Sequence, residues 1–207
     1  MLPPEFIIKI FYPLLFILIS FSFSQEAINY VTTLIKKGQL FYTKDTNKPY
    51  SGPVFSLFED GKKKEEGNLK DGKMISKTIL KWYKNGQKWS EGNFKNGRID
   101  GSFTFWYENG QKNYEENYKD GIKIGSWNGW YENGQKNSER TYIDGKRDGL
   151  WASWYENGQK SSERIYKDGE IDGLDIYWYE NGQKYREITY QDGELINEIY
   201  WTEDGLD

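Results

Sequence analysis

The chain has 207 residues, 28 Lys and Arg against 32 Asp and Glu, a formal net charge of −4, and neither Cys nor His. The acidic balance argues against nucleic acid, whose affinity comes from clustered Lys and Arg on phosphates. Disulfides and Cys-linked lipid are excluded, and only Asp, Glu, Lys and Tyr remain as acids and bases. Charged residues make up 29% and mean hydropathy is −0.90, a composition that borders on disorder, but the 18% of aromatic residues suits a pleated, half-buried surface.

Residues 1–24 stand apart. Lys9 precedes an apolar run from Ile10 to Phe23, broken by Pro13, Ser20 and Ser22. A bilayer span takes about 20 apolar residues, so this shorter run reads as the apolar region of a signal peptide. Ser22 and Ser24 are small residues at the −3 and −1 positions for cleavage before Gln25. The alternative is an uncleaved N-terminal anchor that starts at Phe6. Either way the chain is expected to be exported: periplasmic, envelope-associated or extracellular. Cleavage would leave no integral membrane domain.

Residues 25–51 read as a lead-in. Ile28 to Leu34 suits a short helix or strand, Lys37-Gly38 a turn, Gln39 to Thr43 a strand and Asp45 to Pro49 a loop. This segment is expected to cover the first open sheet edge, which would otherwise template aggregation.

From Gly52 onward the chain repeats. Trp-Tyr-Glu-Asn-Gly-Gln-Lys occurs at Trp106 to Lys112, Trp130 to Lys136, Trp154 to Lys160 and Trp178 to Lys184, with a near copy, Trp82 to Lys88, carrying Lys84 for Glu. The Asn-Gly pairs recur every 24 residues, and a second turn pair (Asn96-Gly97, Asp120-Gly121, Asp144-Gly145, Asp168-Gly169, Asp192-Gly193) follows each by eleven residues. A fixed period of this length marks a repeat architecture. Turns alternating at 11 and 13 residues leave room only for strands. The predicted fold is all-β: an elongated antiparallel meander of stacked hairpins, about thirteen strands and roughly 60 Å of sheet.

Units open at Gly52, Lys77, Gly101, Gly125, Gly149 and Gly173, and a half unit follows Asn197. The Asn-Gly pairs predict two-residue type I′ turns, with Tyr155 opposite Lys160, Trp154 opposite Ser161, Ala152 opposite Glu163 and Trp151 opposite Arg164. Alternation then puts the column Trp82, Trp106, Trp130, Trp154 and Trp178 on one face with Glu91, Glu115, Glu139, Glu163 and Glu187. The opposite face takes Tyr83, Tyr107, Tyr131, Tyr155 and Tyr179, the lysines from Lys88 to Lys184, and a second ring column of Phe94, Tyr118, Tyr142, Tyr166 and Tyr190. The opening Gly either lets a ring lie over bare backbone or allows a kink, and Lys77 in its place predicts a local irregularity.

These residues resemble the MORN repeat, in its bacterial variant with Tyr-x-Asn-Gly-Gln/Lys-Lys, then Glu, an aromatic, Asp-Gly and Gly. The resemblance covers residues 52–207 as six repeats plus a terminal half repeat. It implies a sheet of stacked hairpins used for protein or membrane contacts, and proteins built from this variant include a family labelled as the antitoxin of a toxin–antitoxin pair.

Every carboxylate that could serve a reaction recurs once per repeat, as Glu163 does, whereas a catalytic pair needs one unusual environment. The sequence therefore nominates no catalytic residue, no cofactor and no metal ligand. The expected function is a non-catalytic exported scaffold that binds a protein partner through an aromatic sheet face. Trp82, Trp106, Trp130, Trp154, Trp178, Tyr107, Tyr131, Tyr155 and Tyr179 are the candidate contact residues. Two alternatives stand beside it: glycan or cell-envelope binding by the stacked rings, and antitoxin-like binding of a partner toxin.

Overall fold

A computed structural model describes residues 25–202. The predicted export segment, residues 1–24, and the end of the half unit, residues 203–207, lie outside the described residues. The lead-in forms β1 (Ile28–Asn29), a single helical turn α1 (Tyr30–Thr33), and the hairpin β2 (Leu34–Lys37) and β3 (Leu40–Thr43). The first array strands are β4 (Gly52–Leu57), β5 (Lys63–Lys70), β6 (Lys73–Trp82), β7 (Lys88–Lys95) and β8 (Arg98–Trp106). Next come β9 (Lys112–Lys119), β10 (Ile122–Lys123), β11 (Gly125–Trp130), β12 (Lys136–Ile143), β13 (Lys146–Arg147) and β14 (Gly149–Trp154). The last four are β15 (Lys160–Lys167), β16 (Glu170–Trp178), β17 (Lys184–Gln191) and β18 (Glu194–Tyr200).

Strand follows strand in sequence order from β4 to β18, each antiparallel to the last, so the predicted all-β meander is present. The short pieces β10 and β13 pair with β9 and β12 and are the entries to β11 and β14. At the other end β1 lies parallel to β4, pairing Ile28 with Val54 and Asn29 with Phe55. Leu34, Tyr50, Val54 and Leu69 are buried together there, with Ile28, Tyr30, Phe41 and Met74 packed against them.

The two kinds of turn differ, and the difference resets the register. Asp168 (φ 53°) and Gly169 (φ 103°) both take positive φ, and Lys167 pairs with Glu170 across them, as a type I′ turn requires. The Asn-Gly turns predicted to be type I′ are built differently. Gly158 alone is left-handed (φ 85°), and its N–H donates to the Tyr155 carbonyl at 2.9 Å. Asn157 uses its side chain, accepting the Gln159 N–H at 2.9 Å. The result is a tight turn closed by a left-handed glycine, with a bulge that leaves Ser161 unpaired: Trp154 pairs with Lys160 and Ser153 with Ser162. The predicted pairs Ala152–Glu163 and Trp151–Arg164 hold, but Tyr155–Lys160 and Trp154–Ser161 do not.

That one extra residue flips the lysines. They lie on the face of the Trp and Glu columns, not with the tyrosines as alternation without a bulge predicts. Lys160 and Glu163 are three apart in sequence yet form an ion pair, which a regular strand would forbid. The two faces can therefore be named by content. The ladder face carries Trp, Lys and Glu. The ring face carries a continuous stack of Tyr118, Trp127, Tyr142, Trp151 and Tyr166, with centroids 5.1, 5.0, 5.4 and 5.0 Å apart.

The opening glycines act as kinks. Gly125 (φ 59°) and Gly149 (φ 79°) open β11 and β14 just after the breaks that end β10 and β13, whereas Gly101 (φ 100°) and Gly173 (φ 112°) bend β8 and β16 without ending them; neither Gly125 nor Gly149 has a ring within 4 Å of where its Cβ would be. A ring does cover bare backbone elsewhere: a Cβ on Gly92 would meet Phe103 at 2.1 Å. Where Lys77 replaces the glycine, β6 runs unbroken for ten residues, and the irregularity shrinks to a one-residue bulge, with Asn68 paired to Ser76 and Leu69 to Met74.

Candidate functional site

Each Trp of the repeated heptapeptide is half-buried on the ladder face, beneath a lysine from the preceding repeat. Lys88 lies 5.1 Å from the Trp106 ring, Lys112 5.5 Å from Trp130, Lys136 5.2 Å from Trp154 and Lys160 5.5 Å from Trp178, while Lys62 lies 6.0 Å from Trp82. The same lysines pair with Glu91 at 2.5 Å, Glu115 at 3.1 Å, Glu139 at 2.5 Å and Glu163. Individually these contacts are weak: about 0.5–1 kcal/mol for an exposed cation–π contact and ~0–1 kcal/mol for a surface ion pair. Their effect is to fix each Trp ring to the repeat before it.

The tyrosines make the stronger link. The Tyr83 hydroxyl donates to the Trp106 carbonyl at 2.8 Å, Tyr107 to Trp130 at 2.9 Å, Tyr131 to Trp154 at 2.6 Å and Tyr155 to Trp178 at 2.8 Å. Beside them Asn85, Asn109, Asn133 and Asn157 donate their side-chain amides to the carbonyls of Glu108, Glu132, Glu156 and Glu180. Burial, then the carboxylates of Glu132 and Glu156, push the Tyr107 phenol up from its ordinary pKa. Burial does the same to Tyr155, followed by the neighbouring Tyr185 and Glu180. Tyr179 makes no such hydroxyl bond among the described residues, and its ring packs on Tyr185 at 4.8 Å.

The predicted contact residues are thus brought into register, and most of their polar capacity is spent on joining one repeat to the next. Among the described residues no group of three or more acidic side chains is placed to hold a metal ion, and no helix is long and apolar enough to cross a membrane.

A family model of the MORN repeat variant matches residues 72–96, 99–120, 123–144, 147–168 and 171–192, more than half of the chain. The chain belongs to the MORN repeat variant family. No curated protein matches it. The match is to the repeat and names no toxin partner. MORN repeats are generally modules that bind proteins or membranes, and they are not known as enzymes. The unit opening at Gly52 lies outside the matched segments, although it supplies β4 and β5 to the same sheet. In this MORN array the heptapeptide is the seam between repeats, and other surfaces vary from repeat to repeat.

One such surface, which the repeat itself does not mark, lies beside the Trp column. In the earlier repeats the ladder-face positions after the opening residue are polar: Thr78 donates to Asn93 at 2.8 Å, and Asn117 donates to the Ser126 carbonyl at 2.7 Å. In the last two repeats those positions become Leu150, Ile165 and Leu174, exposed at 39, 38 and 39%. Leu150 and Ile165 are direct cross-strand partners, and Ile165 reaches within 3.6 Å of where a Cβ on Gly173 would lie.

Proposed function

We propose that this MORN array is a non-catalytic exported scaffold, and that it binds a protein partner on the ladder face at Leu150, Ile165 and Leu174, flanked by Trp154 and Trp178. The observation that carries the reading is the replacement of a hydrogen-bonded polar column by exposed aliphatic side chains in the last two repeats. Large apolar groups placed together on an uncovered sheet face favour removal from water by a partner. The ladder-face lysines are matched one for one by glutamates, so the face has no cationic excess to draw it to anionic lipid. That balance favours a protein over a membrane.

The test uses substitutions already present in the chain's own earlier repeats. Leu150→Ser copies Ser126, Ile165→Thr copies Thr141, and Leu174→Ser again copies Ser126. The triple variant should keep its far-UV spectrum and melting temperature and lose the proteins captured by the wild-type chain from an envelope fraction. Identical capture by both would remove the patch from consideration. Export is tested separately: mass spectrometry of the mature chain should find Gln25 at its N-terminus, and a chain recovered intact from the cytoplasm would refute it.

A further inference from the structure

The ring face holds a second feature, independent of the ladder face. One row of side chains crosses the strands: Tyr114 pairs with Gly129, Gly129 with Ser138, Ser138 with Ser153, Ser153 with Ser162, and Ser162 with Tyr177. Four consecutive members are Gly or Ser. They leave a trough roughly 14 Å long, from about 4.8 Å per strand. Tyr114, stacked on Phe105 at 4.2 Å, closes one end and Tyr177 the other. The neighbouring row forms its wall: Trp127 pairs with Arg140, and Trp151 with Arg164, which pairs in turn with Asp175. Cavities of about 80 and 190 Å³ lie along the trough and share Arg140 in their lining.

Asp175 is what turns a stripe of small residues into a site. Its column holds Phe103, Trp127 and Trp151 in the preceding repeats, so the ring stack is broken by a carboxylate. The side chain is 1% exposed. Its Oδ2 accepts from Arg164 and from the Tyr177 hydroxyl, while Oδ1 is buried, lacks any partner and belongs to a residue lining the larger cavity. A buried carboxylate oxygen without a donor is costly. A ligand that brings a hydroxyl satisfies it; a cation would instead crowd Arg164 and Arg140. Arg164 is neutralised by Asp175; Arg140 is exposed and has no ion pair among the described residues, while of the two glutamates that line the smaller cavity with it Glu115 pairs with Lys112 and Glu116 accepts from the Tyr118 hydroxyl. Ser153 and Ser162 add hydroxyls that both donate and accept, whereas the Tyr177 hydroxyl is already engaged with Asp175 and Arg164.

We propose that this trough binds an acidic oligosaccharide, the Asp175 carboxylate turning toward it so that Oδ1 accepts from a sugar hydroxyl, with a sugar carboxylate on Arg140. The probe is a short galacturonate oligomer, with a neutral cello-oligosaccharide of the same length as the comparison, titrated calorimetrically against the full chain. Ser153→Phe fills the trough with the residue the chain itself carries at the equivalent position, Phe105, so folding is preserved. That variant and Asp175→Asn should each weaken galacturonate binding by about tenfold or more. Arg140→Gln should erase the preference for the acidic oligomer over the neutral one. The ladder-face triple variant should bind the oligomer as the wild type does, so failure of one proposal leaves the other standing. Absence of saccharide binding at millimolar concentration, or unchanged binding by Ser153→Phe, overturns the proposal. So does displacement of the sugar by a Glu-rich peptide that binds more tightly, which would assign the trough to a polypeptide.

Discussion

Replacing Tyr131 by Phe removes one hydroxyl and leaves the ring. The lost bond runs 2.6 Å to the Trp154 carbonyl, from a half-buried side chain. A bond of this kind contributes about 0.5–1.5 kcal/mol net. The same bond joins three other pairs of neighbours, through Tyr83, Tyr107 and Tyr155. Successive bonds lie two strands apart, roughly 9.6 Å, which is far enough for the losses to add. The quadruple Tyr→Phe variant should therefore lose about 2–6 kcal/mol, against a total that for ordinary domains is about 5–15 kcal/mol. The assay is urea unfolding followed by both far-UV dichroism and tryptophan fluorescence, because repeat arrays can unfold in parts. The single variant should shift the midpoint slightly; the quadruple should shift it severely or split the two probes. A quadruple variant within about 0.5 kcal/mol of wild type would show that these bonds do not hold the repeats together. It would mean that the heptapeptide is repeated for a ligand and not for the seam.

Gly92→Ala would drive a methyl to 2.1 Å from the Phe103 ring and should cost about 1–3 kcal/mol by overpacking. The same change in a Phe103→Ala background should cost much less, which a thermal-melt double-mutant cycle measures. On the alkaline side, Tyr107, Tyr114 and Tyr155 hold their protons above the ordinary phenol range, mainly through burial. The unfolded chain ionises first, near pH 10, so stability is full below about pH 10 and falls as pH rises through it. Absorbance at a tyrosinate wavelength should lag in the folded chain and jump at unfolding; titration indistinguishable from free tyrosine would contradict this. On the acid side the Asp120 amide, then Lys119, hold Asp100 below its ordinary value, and Tyr200 and Arg186 do so for Glu198. Their contribution is present above about pH 4 and disappears as pH falls below it.

Much of the fold is legible from punctuation alone. A 24-residue period cut by two glycine turns admits only short strands, and the Asp-Gly pairs, read from sequence only as turns, take positive φ at both residues. What misleads is Asn-Gly, which suits two turns equally. Here the decision falls to Tyr155, whose carbonyl and N–H close the longer turn, and to the Asn157 side chain, which holds the Gln159 amide. The clue that could have revealed the bulge is the Lys-x-x-Glu spacing, which repeats faithfully and makes sense only if position three returns to the same face. The candidate rings were found because they repeat. The same repetition is what lets Tyr83, Tyr107, Tyr131 and Tyr155 join each unit to the next. Leu150, Ile165, Leu174 and Asp175 are departures from the repeat, and their significance emerges only when the columns are aligned across strands with the corrected register.

Side chains of one repeat are bonded to the backbone of the next through the Trp-Tyr-Glu-Asn-Gly-Gln-Lys seam. The most direct measurement is deuterium exchange of the tyrosine hydroxyl protons, resolved by NMR. Tyr83, Tyr107, Tyr131 and Tyr155 should exchange slowly, while Tyr179, which lacks the bond among the described residues, should exchange fast. All five exchanging at the rate of a free phenol would mean that the repeats are not joined by these hydroxyls.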